Sequence, residues 1–102
     1  MMNRTDRYAE SLSRLIREET VSGPGTSGDG KFHAFRELLK DVFPALFAHA
    51  EYTEFTDGFV LRWAGRDLSA QPDLFMNHHD VVEAGSGWRH GPFSGEIAEG
   101  RL

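Results

Sequence analysis

Hydrophobic and polar positions follow two different periods along this chain. Tyr8, Leu12, Leu15 and Ile16 fall at i, i+4, i+7 and i+8, one stripe of a 3.6-residue repeat, and predict an amphipathic helix near the amino terminus. Thr5 is the expected cap, which sets Asp6 favourably in the first turn. The glycine- and serine-rich run SGPGTSGDG, 22–30, suits neither helix nor strand and predicts a mobile surface loop. Helical spacing resumes with Phe32, Phe35, Leu38, Leu39 and Val42, charged residues lying between them. Pro44 is expected to end or kink this second helix near 41–43, with ALFAHA as a short continuation.

The period then shortens. EYTEFT and FVLRWAG flank Asp57-Gly58, a dipeptide suited to a type I′ turn because both central residues need positive φ, and predict an antiparallel hairpin over 51–64. Pro72 opens a third predicted strand, from 73 to 79, whose Leu74-Phe75-Met76 centre is continuously apolar, as in strands buried on both faces. A loop follows over 80–91, and a second tight turn is expected at Glu99-Gly100. The fold class expected is α/β, with two helices packed on a mixed β-sheet.

Composition narrows the classes of function. A chain of 102 residues is one domain at most, or a piece of one, and can bury roughly 60–70% of its unfolded surface. A net charge of -5 spread over the sequence lacks the clustered Lys and Arg of a nucleic-acid footprint, so no nucleic-acid partner is expected. No apolar run approaches the roughly 20 residues that cross a bilayer, and MMNRTDRYAESL has no signal core, so no membrane partner and a cytoplasmic location are expected. With no cysteine there is neither disulfide nor thiolate, and any metal must be held by His, Asp or Glu.

The candidate chemistry sits at the end of the third predicted strand. Strand alternation turns His78 and Asp80 to one face and His79 to the other. The carboxyl end of a buried strand is where α/β proteins place ligand-binding and catalytic groups. Imidazole is a common zinc ligand, and a carboxylate beside it can orient the ring or act as an acid–base partner. On spacing alone, the commoner reading of His-x-Asp is a polar strand edge satisfying its own backbone. Trp88 and Phe93 are expected to pack their loop onto the sheet, Trp63 to lie in the core, and His33, His49 and His90 to be solvated. No phosphate-cradle pattern and no Ser-His-Asp arrangement can be read from the sequence.

The surrounding residues add a longer signature. His78-His79-Asp80-Val81-Val82, Trp88, Pro92-Phe93-Ser94-Gly95-Glu96-Ile97 and Glu99-Gly100 together resemble the amino-terminal part of the zinc aminoacylase and carboxypeptidase family. That family also holds acetylornithine deacetylase and succinyl-diaminopimelate desuccinylase, and the resemblance is strongest to its carboxypeptidase-S-like branch. Glu19-Thr20-Val21-Ser22, Phe43-Pro44 and Leu61-Arg62-Trp63 agree with it, so the resemblance covers about the whole chain. It implies a zinc-exopeptidase-like catalytic domain that hydrolyses amide bonds of peptides or N-acyl amino acids with two zinc ions. It implies that His78 is a ligand of one zinc and that Asp80 is the carboxylate supporting catalysis beside the metals, while His79 inherits no role.

Two departures matter. Glu83 stands where the family usually has proline. The family's Gly-Arg-Gly motif, metal-bridging aspartate, paired glutamates, further acidic ligand and last histidine all fall after the position of Leu102. The expectation is therefore that residues 1–102 are an amino-terminal fragment of the catalytic domain, without the lid domain, with an incomplete site and no activity alone. The alternatives are a non-catalytic truncated relative acting as an interaction module, and an unrelated small α/β domain whose histidines cap a strand. An apolar strand with few elements to cover it also predicts a homo-oligomer, aggregation or missing sequence.

Overall fold

The computed structural model describes residues 1–24 and 30–102. Helix α1 (Arg4–Ile16) is capped by Asn3, not by Thr5 as expected. A cap must keep extended backbone while its side chain reaches an amide three residues on. Asn3 does both: its φ and ψ are -74° and 175°, and its Oδ1 accepts the Asp6 amide at 2.9 Å. The predicted stripe of α1 packs only at its carboxyl end, where Leu15 and Ile16 are half-buried. Tyr8 and Leu12 are exposed, while Ser13 is only 3% exposed. The Ser13 hydroxyl donates to the Gly95 carbonyl, and Arg17 Nε donates to the Ser94 carbonyl at 3.2 Å. Gly95 has φ +62°, and a Cβ there would stand 2.5 Å from the Ser13 carbonyl oxygen, so only glycine permits this approach. The Pro-Phe-Ser-Gly segment is thus a docking surface for α1.

Of the predicted loop over 22–30, residues 25–29 lie outside the described residues, and Gly30 already opens α2 (Gly30–Val42). An Arg14–Asp41 ion pair links α1 to α2. The chain breaks at Phe43 (φ -123°, ψ 57°) and resumes as α3 (Pro44–His49), with Pro44 at the first helical position, where a missing amide costs nothing. This is the break and continuation expected from the sequence.

Strands β1 (Glu51–Phe55) and β2 (Gly58–Arg62) form the expected antiparallel hairpin, in register from Glu51 opposite Arg62 to Phe55 opposite Gly58. The turn residues are Thr56 and Asp57, neither with positive φ, in place of the predicted Asp57-Gly58 type I′ turn. Pairing across the strands decides this. Tyr52 sits opposite Leu61, and its ring lies 5.5 Å from Phe59 and 5.7 Å from Phe47. The positive-φ pair occurs instead at Glu99 (52°) and Gly100 (72°), where Ala98 and Arg101 exchange two backbone hydrogen bonds of 2.9 Å, the second predicted turn.

The third predicted strand does not form. Residues 72–80 make no backbone–backbone hydrogen bond among the described residues, and Leu74, Phe75 and Met76 are 79%, 91% and 82% exposed. A strand buried on both faces needs neighbours along both edges and a layer above and below. The two regular strands have paired locally with each other, which closes the shorter loop. The expected mixed sheet is therefore a two-stranded antiparallel sheet plus one isolated parallel bridge, Val21 with Val81.

The layers accordingly stay open. Ala50 is the buried member of the apolar set among the described residues, and Trp63, expected in the core, is 61% exposed beside His49. The accessible surface is 8592 Å², against about 5800 Å² for a folded monomer of this mass. The radius of gyration is 16.2 Å, against about 13 Å for a compact domain of this length. Between the helices, the hairpin and the 72–82 segment runs an open cleft of about 2280 Å³, lined by Phe35, Leu39, Phe59, Leu61, Phe75 and Val82 among others. Ligand pockets span roughly 300–1000 Å³, so this cleft is an uncovered interior. Among the described residues no helix is long and apolar enough to cross a membrane.

Candidate functional site

The bridge between Val21 and Val81 is what places the candidate residues. Val81 donates its amide to the Thr20 carbonyl at 2.9 Å and accepts the Ser22 amide at 2.8 Å. Thr20 is 3% exposed, and its hydroxyl donates to the His79 carbonyl at 2.6 Å. Two alternate side chains of one segment, Thr20 and Ser22, therefore grip the backbone and the carboxylate of the other, because Ser22 Oγ also donates to Asp80 Oδ2 at 2.7 Å.

His79 anchors the tripeptide from the inner side. Its ring stacks on Phe35 with centroids 5.0 Å apart and planes 5° from parallel, meets Phe32 edge-on at 5.9 Å, and lies 6.0 Å from Phe59. Burial pushes its pKa below the ordinary 6.5, and the nearby Arg36 charge adds to that, so it sits in this aromatic nest as neutral imidazole.

His78 and Asp80 face outward together. His78 Nδ1 lies 3.0 Å from Asp80 Oδ1 and 2.9 Å from the Asp80 carbonyl oxygen. Both neighbours only accept hydrogen bonds, so Nδ1 carries the proton and donates. Nε2 then holds its lone pair on a side chain that is 84% exposed. The Ser22 hydroxyl, with His78, holds the Asp80 carboxyl below the usual carboxylate range, so it is ionised at neutral pH.

This donor set fits one corner of a zinc site. The imidazole offers one nitrogen outward while a carboxylate holds the other, the arrangement that fixes ring orientation and raises ligand basicity. Among the described residues no third His, Asp or Glu stands close enough to make a metal-holding group. Zinc takes four ligands or three and a water, more than the described residues bring together here.

Other candidates are separate. His33 is exposed, His49 packs against Trp63 with centroids 5.7 Å apart, and His90 Nδ1 lies 2.9 Å from Glu96 Oε2. Trp88 is exposed and its indole donates to the Ala84 carbonyl at 2.9 Å, so it closes its own loop and does not pack on the sheet; Phe93 is half-buried. Sequence reasoning passed over Arg36, 7% exposed and paired to Glu54 at 3.0 Å. Its position was a signal: Phe32, Phe35, Arg36 and Leu39 share one helical stripe, which puts the arginine in an apolar row.

Comparison with curated proteins gives several relatives. The chain is 32% identical over 96 residues to the protein named carboxypeptidase S-like 2 of Dictyostelium discoideum, covering 87% of this chain and 18% of that protein. It is 34% identical over 91 residues to the protein named dipeptidase YtjP of Bacillus subtilis, covering 85% and 18%. It is 33% identical over 98 residues to the N-fatty-acyl-amino acid synthase/hydrolase PM20D1 of Bos taurus, covering 89% and 19%. The chain thus spans less than a fifth of the length of these relatives. No protein-family model and no solved structure matches it. Relatives from a slime mould, a bacterium and a mammal, each aligned over most of these residues, agree on one assignment: the chain belongs to the peptidase M20 family.

Proposed function

We propose that this chain is the amino-terminal part of the catalytic domain of a two-zinc hydrolase that cleaves amide bonds of peptides or N-acyl amino acids. The observation that carries the reading is the His78–Asp80 pair, with Nδ1 held at 3.0 Å by the carboxylate and the opposite nitrogen open. His78 is the zinc ligand through Nε2. Asp80 keeps the Nδ1 proton in place, fixes the ring plane and balances the charge that coordination puts on the imidazole. His79, turned inward, holds the segment still while its neighbours face the substrate side. When bound, zinc supplies Lewis acidity for the amide carbonyl and for water. The substrate class follows the names of the relatives, a dipeptidase, a carboxypeptidase S-like protein and an N-fatty-acyl-amino acid hydrolase. The exposed Leu74-Phe75-Met76 run and the open cleft support a chain whose interior is finished by further protein.

The test uses the protein as its gene encodes it, assayed for zinc content and for hydrolysis of dipeptides and N-acyl amino acids. His78→Ala is expected to lose bound zinc and activity, and Asp80→Asn to weaken either by about 10–100-fold. Undiminished zinc and activity in His78→Ala would overturn the reading. So would an intact mass of 11.5 kDa in the cell with no associated protein, which favours the interaction module.

A further inference from the structure

We infer that Ser22 is a positioning residue for the zinc-ligand histidine, acting through Asp80. The inference rests on the proposed role of the His78–Asp80 pair and adds a third member to it. Asp80 has two carboxylate oxygens and each has one side-chain partner: Oδ2 accepts from Ser22 Oγ at 2.7 Å, and Oδ1 accepts from His78 Nδ1 at 3.0 Å. A carboxylate on an exposed segment rotates about its χ2 bond over a broad, two-fold profile. A hydrogen bond to one oxygen fixes that rotation and therefore aims the other oxygen. The donor comes from 58 residues away, so the restraint is tertiary.

Ser22 is itself held. Its amide donates to the Val81 carbonyl at 2.8 Å, while the Val81 amide donates to Thr20 at 2.9 Å. The hydroxyl thus stands on backbone already registered against the residue that follows Asp80. Thr20 Oγ1 fixes the His79 carbonyl at 2.6 Å from the same side. The segment Thr20-Val21-Ser22 is in this way a template: its backbone sets register, Thr20 holds the main chain, and Ser22 aims the carboxylate. The consequence is a defined tautomer. With Asp80 Oδ1 aimed at Nδ1, the proton stays there and Nε2 presents its lone pair outward. Without the aim, the Asp80 carboxylate turns to solvent and Nδ1 keeps only the Asp80 main-chain carbonyl, 2.9 Å away, as acceptor, so the imidazole shifts part of its proton population to Nε2.

The tautomer can be read in this chain without metal or substrate, by nitrogen-15 chemical shifts and the two-bond couplings of the neutral His78 ring. Wild type is expected to show the Nδ1-protonated pattern. Ser22→Ala is expected to shift both ring nitrogens toward the averaged position of an unrestrained imidazole, and Ser22→Thr, which keeps the hydroxyl, to restore the wild-type shifts. Ser22 is exposed and its backbone pairing needs no side chain, so the alanine variant keeps the bridge, which the Val81 amide resonance verifies. Three results would count against the inference, and they separate. A Nδ1-protonated His78 that is unchanged in Ser22→Ala overturns the role of Ser22 and leaves the His78–Asp80 reading standing. Averaged shifts in Ser22→Thr as well as in Ser22→Ala show that the hydroxyl is not what aims Asp80, with the same consequence. A wild-type His78 that is not Nδ1-protonated overturns the pair itself, and the proposed function with it.

Discussion

His79 links the tripeptide to the rest of the molecule, since its ring touches three phenylalanines while its two neighbours touch solvent and each other. Aromatic contacts of this kind contribute about 0.5–1.5 kcal/mol each beyond buried area. His79→Ala removes all three and leaves Thr20 and the Val21–Val81 bridge to hold the segment alone. The Val81 and Ser22 amides, which close that bridge, should then exchange with solvent about tenfold faster or more, one decade per 1.4 kcal/mol of local opening. His79→Phe keeps the stack and should leave exchange near wild type, while equal exchange in His79→Ala and wild type would show that the aromatic nest holds nothing. The opposite orientation of His79 to His78 and Asp80 was legible in the sequence, because alternation is a property of three consecutive residues. Thr20 and Ser22 were not legible as partners, because their hydrogen bonds span 59 and 58 residues and no local pattern encodes them.

One ion pair fastens helix α2 to strand β1. Arg36 is buried, its Nη1 lies 3.0 Å from Glu54 Oε1, and the more exposed Glu54 has its carboxyl held below the ordinary 4.5, chiefly by that arginine. A carboxyl with a lowered folded pKa contributes stability that is complete above its unfolded value and is lost as pH falls through the folded one. Acidification below about pH 4.5 should therefore free the hairpin from α2, because protonated Glu54 leaves a buried guanidinium without its counter-charge. The contact between Lys40 of α2 and the Tyr52 ring of β1, 4.8 Å from Nζ to the ring centroid, read by nuclear Overhauser effects, should fade over that range in wild type. In Glu54→Gln it should already be weak at neutral pH and change little with acid. A contact in Glu54→Gln as strong as in wild type would remove the pair as the fastener. Most of the regular elements were legible for the same reason that this pair was not. The break before Pro44, the helical stripe of α2 and the turn at Glu99-Gly100 rest on residues a few positions apart. The Asn3 cap and the Thr56-Asp57 turn differ from expectation by one to two residues, where tertiary pairing and backbone geometry decide between adjacent candidates. The strand predicted over 73–79 failed for a larger reason: its apolar pattern is correct for a sheet interior, but a strand exists only through its neighbours.

That missing neighbourhood governs how the whole molecule behaves. Leu74, Phe75 and Met76 project into solvent beside an open apolar cleft, and among the described residues the backbone of 73–78 offers unpaired amides and carbonyls along the same edge. Apolar surface and an unpaired edge together favour association with another chain. Opposing this, each copy carries a net charge of -5. Like charge on both copies disfavours contact at low ionic strength and is screened over roughly 10 Å at 0.1 M salt. The isolated chain should therefore self-associate more strongly as sodium chloride is raised, the reverse of an assembly held by ion pairs. Fully burying a large apolar side chain is worth about 1.5–3 kcal/mol, so replacing all three with serine should weaken association by at least about a hundredfold. Sedimentation equilibrium of wild type and of the Leu74→Ser, Phe75→Ser, Met76→Ser variant at two salt concentrations measures both effects. Identical monomer behaviour in all four samples would show that the cleft is not a surface awaiting cover. Association that weakens with salt would shift its cause from the apolar segment to charged groups. Association that strengthens with salt and disappears in the triple variant would identify 74–76 as the segment whose partners complete the fold, and with it the surface on which further protein packs.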